Sequence, residues 1–382
     1  MNFELTDEQK EVKNAAREFA EKEFSRELAL ECEEQGRFPH GLWKKAADLG
    51  FIGINIPEEY GGQGMGLLEK VLVLEEFFRA DPSLGFIYIT TFGSELILNN
   101  GTEEQKKRYL PAVCRGEMRM GVAITEPDAG SDVASISTRA ERRGDHYVIS
   151  GNKIFITNAT VADFLIVACV TNPEAPKKHE RLSLIIVETS CPGYEATKLK
   201  GKLSIRCSDT GEVALKEVVV PKENLLGEEG KGFYYLMEFF NRTRAAVGAL
   251  GVGTAQGALD KAISHVRQRK QFGRPLAAFD SVQHKIAEMA TLVEAARSLV
   301  WRAASEIDRG NVDPALIAIA KWYACEVAVR VADEAVQLHG GYGILEEYDV
   351  AHYYRDAKVL EIFEGTKEIE KILIARRLLG RY

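Results

Sequence analysis

The sequence predicts a mainly α-helical protein with a central β domain, and three observations lead to this fold class. Apolar residues recur at three- and four-residue spacing over residues 1–118, which is typical of amphipathic helices. Short segments rich in β-branched and aromatic residues occupy residues 119–228, as strands do. Helical periodicity returns over residues 229–382. We therefore predict an N-terminal helical domain, a central β domain and a C-terminal helical bundle.

The first region opens with a helix that carries its own start signal. Val12, Ala16 and Phe19 fall on one helical face. Thr6 followed by Gln9 has the spacing of a capping box, in which each side chain bonds the backbone N–H of the other residue. Because the segment is charged throughout, we interpret it as a helix of the mature protein and not as a secretory signal.

Four segments of the central region predict strands: HYVISG, KIFITNA, FLIVACV and LSLIIVE. Turn-forming residues such as Arg143-Gly144-Asp145 separate such segments. Their length and composition indicate a compact all-β unit between the two helical ones.

The third region begins with a helix in which small residues recur every four positions. Ala245, Ala249, Gly253 and Gly257 fall on one stripe, which lets a neighbouring backbone come unusually close. The polar and charged residues around this stripe argue against a membrane dimerisation face. Further helices are predicted over residues 281–308, 313–340 and 367–379.

Composition and charge exclude several classes of function. The chain has 382 residues, a net charge of −8 and no basic run, so we expect no nucleic-acid surface. The scattered cysteines and histidines form no CxxC or HExxH pattern, so we expect neither a disulfide framework nor a metal site. No apolar run reaches membrane-spanning length, and we expect a cytoplasmic protein.

Three segments could bind a ligand, and each has a plain structural alternative. Residues 123–136 (AITEPDAGSDVASI) could offer backbone N–H groups to an anion, or form a turn-rich linker. Residues 267–279 (RQRKQFGRPLAAF) suit a phosphate-bearing planar ligand, or a solvated helix end. In residues 336–348 (VQLHGGYGILEEY), Gly340 could simply be a helix cap, or the glycines, more than a cap needs, could allow close approach to a ligand or subunit. No GxGxxG or P-loop motif supports a nucleotide-binding α/β fold.

Glu364 is an acid in an unusual place. It follows an apolar pair and precedes Gly365 and the predicted N-cap Thr366. As an acid ahead of a helix it would stabilise the helix N-terminus slightly, although Glu368 already does so. A carboxylate that faces an apolar pocket would instead have a raised pKa, because desolvation disfavours the charged form. It would then be a useful base near neutral pH.

Seven segments together resemble the acyl-coenzyme A dehydrogenase family of flavoproteins, in order and over nearly all of the chain. They are ITEPDAGSD, ITNA, RCSDTGEV, VPKENLLG, RKQFG, QLHGGYG and YYRDAKVLEIFEGT. The resemblance implies an N-terminal helical domain, a middle β-barrel-like domain and a C-terminal four-helix bundle, assembled as a homotetramer. It implies FAD between the β domain and the bundle, with a neighbouring subunit contributing. It also implies an acyl-CoA substrate and an electron-transferring flavoprotein as acceptor.

The same resemblance assigns the cofactor contacts. The loop on the flavin ring corresponds to Ile124, Thr125, Gly130 and Ser131, and the segment on its other face to Phe155, Ile156 and Thr157. The family often has tryptophan at position 155, and either residue supplies an aromatic face. Contacts to the FAD pyrophosphate and adenosine, made across a subunit interface, correspond to Arg269, Phe272, Gln337, Gly340 and Gly341. Thr366 and Glu368 match further cofactor positions, and the family frequently has glutamine at position 368.

The resemblance places the catalytic base of the family at Glu364, in its EGT element. This base removes the α-proton on the face opposite the flavin. In the family its backbone N–H also stabilises the thioester oxygen as charge develops there. Some relatives carry their base where Thr243 stands here, so the sequence favours Glu364. Substrate contacts correspond to Ser131, Tyr88, Thr91, Asn241, Arg244 and Gly365.

The acyl group and the electron acceptor stay open at this point. A tyrosine at position 88 would shorten the acyl pocket and favour short, branched or alicyclic chains; alternatively, Tyr88 packs elsewhere in the core. Two other functions share the resemblance: an oxidase that passes electrons to oxygen, and a non-catalytic scaffold flavoprotein.

Overall fold

A computed structural model describes residues 4–380 of the chain. Its helices form two groups, one before and one after a single large sheet, so the predicted fold class is confirmed. A second, two-stranded sheet lies within the C-terminal group.

The N-terminal group begins with the predicted helix and its capping box. Its helices in the described part of the chain are α1 (Asp7–Glu23), α2 (Arg26–Gln35), α3 (His40–Asp48), α4 (Leu67–Ala80), α5 (Pro82–Gly85), α6 (Ser94–Asn100) and α7 (Glu103–Cys114). A 3-10 helix, Phe86–Thr91, joins α5 to α6. The Gln9 N–H donates to Thr6 Oγ1 over 3.2 Å and the Thr6 N–H donates to Gln9 Oε1 over 3.0 Å, which confirms the capping box. The rings of Phe19 and Phe77 pack 5.6 Å apart and bury α1 against α4.

The central sheet follows, with strands β1 (Met120–Ala123), β2 (Arg139–Arg143), β3 (His146–Thr157), β4 (Phe164–Val170), β5 (Leu182–Glu188), β6 (Tyr194–Lys198), β7 (Thr210–Pro221) and β8 (Leu225–Leu226). Their order is β6-β7-β3-β2-β4-β5-β8, and β1 pairs in parallel with β4. The predicted turn at Arg143-Gly144-Asp145 joins β2 to β3, with Gly144 at φ +64°. That turn prediction is confirmed.

The strand predictions need two corrections. HYVISG and KIFITNA are not separate strands but the two halves of β3. Gly151 interrupts the apolar alternation, and the register with β7 shifts beside it; a bulge of this kind bends a strand without ending it. In addition, β6 and β7 were not predicted, because polar residues alternate with apolar ones along both and weaken the local signal.

The C-terminal group is built around one long helix. Its elements are α8 (Gly232–Gln268), β9 (Lys270–Gln271), β10 (Arg274–Pro275), α9 (Asp280–Asp308), α10 (Pro314–His339), α11 (Asp349–Leu360) and α12 (Lys367–Leu379). The helices predicted over 281–308, 313–340 and 367–379 are confirmed to within one residue at each end. In the described structure α8 packs against α4, α9 and α10, and α12 packs against α10.

The small-residue stripe of α8 is the contact with α4. A Cβ atom added to Gly253 would lie 2.3 Å from the carbonyl oxygen of Glu75, and one added to Gly257 would lie 2.2 Å from that of Arg79. No side chain fits at these distances, so the predicted close approach of a neighbouring backbone is confirmed.

Helix α11 was not predicted. Its buried face contains charged residues, so the sequence does not show the apolar periodicity by which a helix is recognised. His352 is fully buried, with Nε2 3.0 Å from Asp81 Oδ2 and Nδ1 3.1 Å from Glu33 Oε1. Asp356 lies one turn further along α11, 3.4 Å from His352. Burial alone would lower the pKa of His352, but Asp81 and Asp356 raise it well above its ordinary value. This ionic cluster ties α11 to α2 and to the start of α5.

Two classes of feature are missing from residues 4–380. None of the helices there combines the length and the apolar character needed to cross a lipid bilayer. That part of the chain also holds no group of three or more histidine, cysteine or acidic side chains arranged to bind a metal ion.

We expect Gly257→Ala to destabilise the protein by several kcal/mol, on the order of 3, because the added methyl group overpacks the contact between α8 and α4. Urea denaturation followed by circular dichroism measures the free energy of unfolding. Gly41→Ala is the control, since Gly41 lies in α3 with no atom within 4 Å of an added Cβ. It should be neutral or stabilising by up to about 1 kcal/mol. Equal effects of the two substitutions would contradict the close contact.

We expect His352→Gln to lower the free energy of unfolding by about 3 kcal/mol, because it leaves buried carboxylates without their cation. A raised pKa in the folded state means that the stabilisation is complete below pH 6.5 and is lost as the pH rises through that raised pKa. Denaturation curves at several pH values measure this loss. His284→Gln, the same change at an exposed position of α9, should have little effect.

Candidate active site

Glu364 lies on a tight turn between α11 and α12. The ring of Phe363 packs 6.0 Å from that of Phe86, which fixes the start of the turn. Glu364 has a φ of +56° and Gly365 one of +103°; the first is rare for a residue with a side chain and costs about 1 kcal/mol or more. Thr366 then caps α12, because its side chain accepts from the N–H of Ile369 over 3.4 Å. The predicted N-cap is confirmed.

The Glu364 carboxylate is partly buried and is held by one neighbour on α8. The hydroxyl of Thr243 donates to Glu364 Oε2 over 2.9 Å. Desolvation raises the pKa of Glu364 to about 6, while the bond from Thr243 and the charges of Arg244 and Lys321 oppose that rise. An acid with such a pKa is mostly ionised at neutral pH and is a stronger base than an ordinary glutamate.

Two cations hold the backbone of this turn. Arg244 Nε donates to the carbonyl oxygen of Glu364 over 3.2 Å. The ammonium group of Lys321, on α10, donates to the carbonyl oxygen of Gly365 over 2.6 Å. Arg244 also lies 3.0 Å from the buried carboxylate of Glu370. These contacts offset the strain of the turn and fix where the Glu364 side chain points.

The segment predicted to cover one face of a flavin lies beside β3. The carbonyl oxygen of Thr125 accepts from the N–H of Ile154 over 3.0 Å, and that of Ile124 accepts from the buried ammonium group of Lys153 over 2.9 Å. Lys153 also pairs with Glu126 over 2.9 Å. The structure therefore joins Ile124 and Thr125 to the strand that continues into Phe155.

The exposed groups next to that junction suit a planar ligand. The Phe155 side chain is 65% exposed and its φ is +58°, so strained backbone presents an uncovered aromatic ring. Gly130 and Ser131 are exposed, with open space beside Gly130. Thr157 is partly buried, whereas Ile156 is buried in the β core, so only its backbone can reach a ligand.

A second group of predicted cofactor residues lines a cavity of about 410 Å³ at the end of α10. Four of them, Arg269, Gln337, Gly340 and Gly341, face this cavity, and open space surrounds both glycines. Arg269 lies 5.2 Å from the centre of the Tyr342 ring. These hydrogen-bond donors fit the phosphates of a dinucleotide: an exposed guanidinium, a side-chain amide and the backbone N–H groups of two glycines.

Phe272 stands apart on the β9–β10 hairpin. Its side chain is 92% exposed, with a φ of +52°. Its ring meets the edge of the Phe279 ring 6.2 Å away and is otherwise uncovered by residues 4–380, as expected for a residue that contacts a ligand held by another subunit. That assignment stays a prediction.

The predicted substrate residues fall into two sets. Tyr88 and Thr91 are buried on the 3-10 helix, where the Thr91 hydroxyl donates to the Tyr88 carbonyl oxygen over 3.0 Å. The Tyr88 hydroxyl has no hydrogen-bond partner among the described residues. Asn241 is partly buried on α8, one turn before Arg244. Because Arg244 is engaged with the turn, its contact with substrate stays a prediction, as does the cofactor contact of the exposed Glu368.

The sequence reasoning missed Lys321 and Glu370. A lysine inside the apolar stretch LIAIAKWYACEVAV was a usable signal, since a buried lysine requires a partner. Glu370 gave no such signal, because charged residues are ordinary in the first turn of a helix.

Comparison with known proteins accounts for nearly the whole chain. The acyl-CoA dehydrogenase N-terminal domain matches residues 6–117, the middle domain residues 121–218 and the C-terminal domain residues 230–379.

Individual relatives match over their full length. The acryloyl-CoA reductase (NADH) of Anaerotignum propionicum is 41% identical, with 100% of this chain and 97% of the relative covered. A structure described as the electron transferring flavoprotein of Acidaminococcus fermentans superimposes with a TM-score of 0.96 at 38% identity, covering 100% of both chains. Butyryl-CoA dehydrogenase from Megasphaera elsdenii superimposes with a TM-score of 0.95 at 37% identity, covering 99% of this chain and 100% of that one.

We expect Thr243→Val to raise the pKa of Glu364 above its value of about 6, because the hydroxyl that stabilises the carboxylate is removed. Infrared difference spectra over a pH series follow the protonated carboxyl band. The band is assigned by its loss in Glu364→Gln. Thr254→Val is the matched control, since Thr254 is also buried on α8 but donates to the carbonyl oxygen of Leu250. An unchanged midpoint in Thr243→Val would contradict the hydrogen bond.

Proposed function

Because the chain belongs to the acyl-CoA dehydrogenase family of FAD-dependent oxidoreductases, we propose that it introduces an α,β double bond into an acyl-CoA thioester. Glu364 is the base that removes the α-proton. The chemistry that FAD would supply, when bound, is an acceptor for the hydride from the β-carbon.

One observation carries this proposal: the ionisable side chain of Glu364 combines a raised pKa with a fixed position. Its pKa of about 6 is high enough for a strong base and low enough for ionisation at neutral pH. The bond from Thr243 orients one carboxylate oxygen and leaves the other available for the α-proton. Because the Glu364 carboxylate is already ionised at neutral pH, it can remove a weakly acidic proton without first releasing a proton itself.

Other residues of the chain position the substrate and the cofactor in this proposal. The backbone N–H of Glu364 stabilises the thioester oxygen as enolate charge develops. That N–H keeps its position because Arg244 and Lys321 bond the carbonyl oxygens of residues 364 and 365. The segments at residues 124–131 and 155–157 would enclose the flavin ring. The phosphates and adenosine of the FAD of a neighbouring subunit, in a homotetramer, would be held by Arg269, Phe272, Gln337, Gly340 and Gly341.

We propose a short, branched or alicyclic acyl group. The fully buried Tyr88 occupies space at the predicted end of the acyl pocket. The relatives named for acryloyl-CoA and butyryl-CoA are consistent with short chains. We further propose an electron-transferring flavoprotein as acceptor, supported by the structure described under that name.

A second candidate is the same chemistry in the opposite direction, the reduction of a 2-enoyl-CoA. The acryloyl-CoA reductase at 41% identity favours it. A protonated Glu364 would then deliver the α-proton, which its raised pKa also permits. Two anaerobic rates compare the directions: the bleaching of the oxidised flavin by a saturated ester, and the reoxidation of the dithionite-reduced flavin by an unsaturated ester.

We expect Glu364→Gln to retain FAD but to lose turnover by about a thousandfold, because glutamine keeps the shape and cannot accept the proton. Visible spectra recorded anaerobically should show flavin bands in both proteins. Short acyl-CoA esters should bleach these bands only in the wild type. Glu326→Gln, on α10 and bonded to the indole of Trp322, is the control and should bleach normally. Normal bleaching in Glu364→Gln would remove this residue from the role of base.

A further inference from the structure

Glu370 is a buried acid close to Glu364 that the proposed reaction does not use. It lies in the first turn of α12, and its side chain is fully buried. Its Oε1 lies 3.0 Å from Arg244 Nε, the same nitrogen that donates to the Glu364 carbonyl oxygen. One guanidinium therefore bridges the Glu370 carboxylate and the backbone of the base.

The contact between Glu370 and the turn is very close. A Cβ atom added to Gly365 would lie 2.3 Å from Glu370 Oε1 and 3.1 Å from a terminal nitrogen of Arg244. The carboxylate thus packs directly against the residue that follows the base. The φ of +103° requires glycine at position 365, and the missing side chain leaves the space that the Glu370 carboxylate occupies.

The charges that face Glu370 come from three directions. Arg244 of α8 contacts it directly, Lys321 of α10 acts on it through its charge, and both favour its ionised form. Glu364 faces it from the turn and disfavours that form. Cys325 of α10 is also near, but burial raises its pKa to about 11 and keeps the thiol neutral. Glu361, at the start of the turn, pairs with Lys367 at 3.2 Å.

Two acids therefore share two cations. Burial is the main reason why the pKa of Glu370 is raised to about 7 and that of Glu364 to about 6. Sites this close lose their protons in two steps that belong to the pair. The first step leaves one negative charge between Arg244 and Lys321, and the second leaves two. With both acids ionised, each cation is shared, and Glu364 is the stronger base.

We propose that Glu370 is a positioning residue, which holds Arg244 and Lys321 against the carbonyl oxygens of residues 364 and 365 and sets the basicity of Glu364 through its own charge. This inference rests on the proposed role of Glu364 as the base. Glu370 acts on Glu364 through the two cations.

For the reaction, the proposal predicts that two ionisations control how kcat/KM rises with pH. In the wild type kcat/KM should rise through the first ionisation near pH 6 and again through the second near pH 7. In Glu370→Gln only the ionisation of Glu364 remains, so the rise should be a single step near pH 6. The kcat/KM of this variant at high pH should be about threefold lower than that of the wild type. Without the negative charge of Glu370, the two cations stabilise the Glu364 carboxylate more strongly and make it a weaker base.

The test is the pH profile of kcat/KM for the FAD-loaded enzyme with a short acyl-CoA ester, from pH 5 to pH 9. Glu370→Asp retains the charge and should keep two steps, even where its shorter side chain lowers the rate. Glu326→Gln removes the same charge five residues further along α10 than Lys321 and should keep the wild-type profile. Thermal unfolding of each variant identifies any loss that comes from stability alone.

The outcomes separate the inference from the proposal on which it rests. A single lower step in Glu370→Gln, two steps in Glu370→Asp and no turnover in Glu364→Gln would support both. A Glu370→Gln profile with the wild-type shape and midpoint would overturn the inference and leave Glu364 as the base. Full turnover in Glu364→Gln would overturn the proposed base, and the role of Glu370 with it.

Discussion

The close contact between α4 and α8 is the constraint on which the rest of the structure depends. Gly253 and Gly257 let the carbonyl groups of Glu75 and Arg79 approach within distances that no side chain permits. This fixes α8 against the N-terminal helices along its middle, while the same helix packs against α9 and α10. A helix held on several sides is rigid, and rigid elements position reactive groups more precisely than loops do.

The site follows from that placement. Near its N-terminal end α8 carries Thr243 and Arg244, which meet the Glu364 turn from one side, and Lys321 of α10 meets it from the other. The chain after α4 leads through α5 to Phe86, which packs on Phe363. A backbone bond from the Lys367 N–H to the Glu361 carbonyl oxygen closes the turn locally over 3.1 Å, and contacts from three other elements hold its strained backbone in place.

Buried charge recurs in this fold and is compensated each time. His352 lies among Glu33, Asp81 and Asp356, and Glu364 and Glu370 lie between Arg244 and Lys321. Burying an ion costs several kcal/mol unless a partner offsets it, so each group fixes the elements that supply its members. The first cluster joins α11 to the N-terminal helices. The second joins α12 to α8 and α10, directly behind the proposed base.

The sequence by itself determined the order of helical and β regions, the helices α8, α9, α10 and α12, the caps at Thr6 and Thr366 and the stripe of small residues. Each of these is a local pattern, which spacing along the chain reports directly. It also singled out Glu364, since an acid at a glycine-hinged turn is visible in the sequence. Only the tertiary structure decided that Thr243, Lys321 and Glu370 surround that acid, and that His352 makes α11 a buried helix. Thr243 lies 121 residues from Glu364 in the chain and Lys321 lies 44 from Gly365. The pKa of a carboxyl group depends on the charges and the water around it, and packing between distant segments determines both.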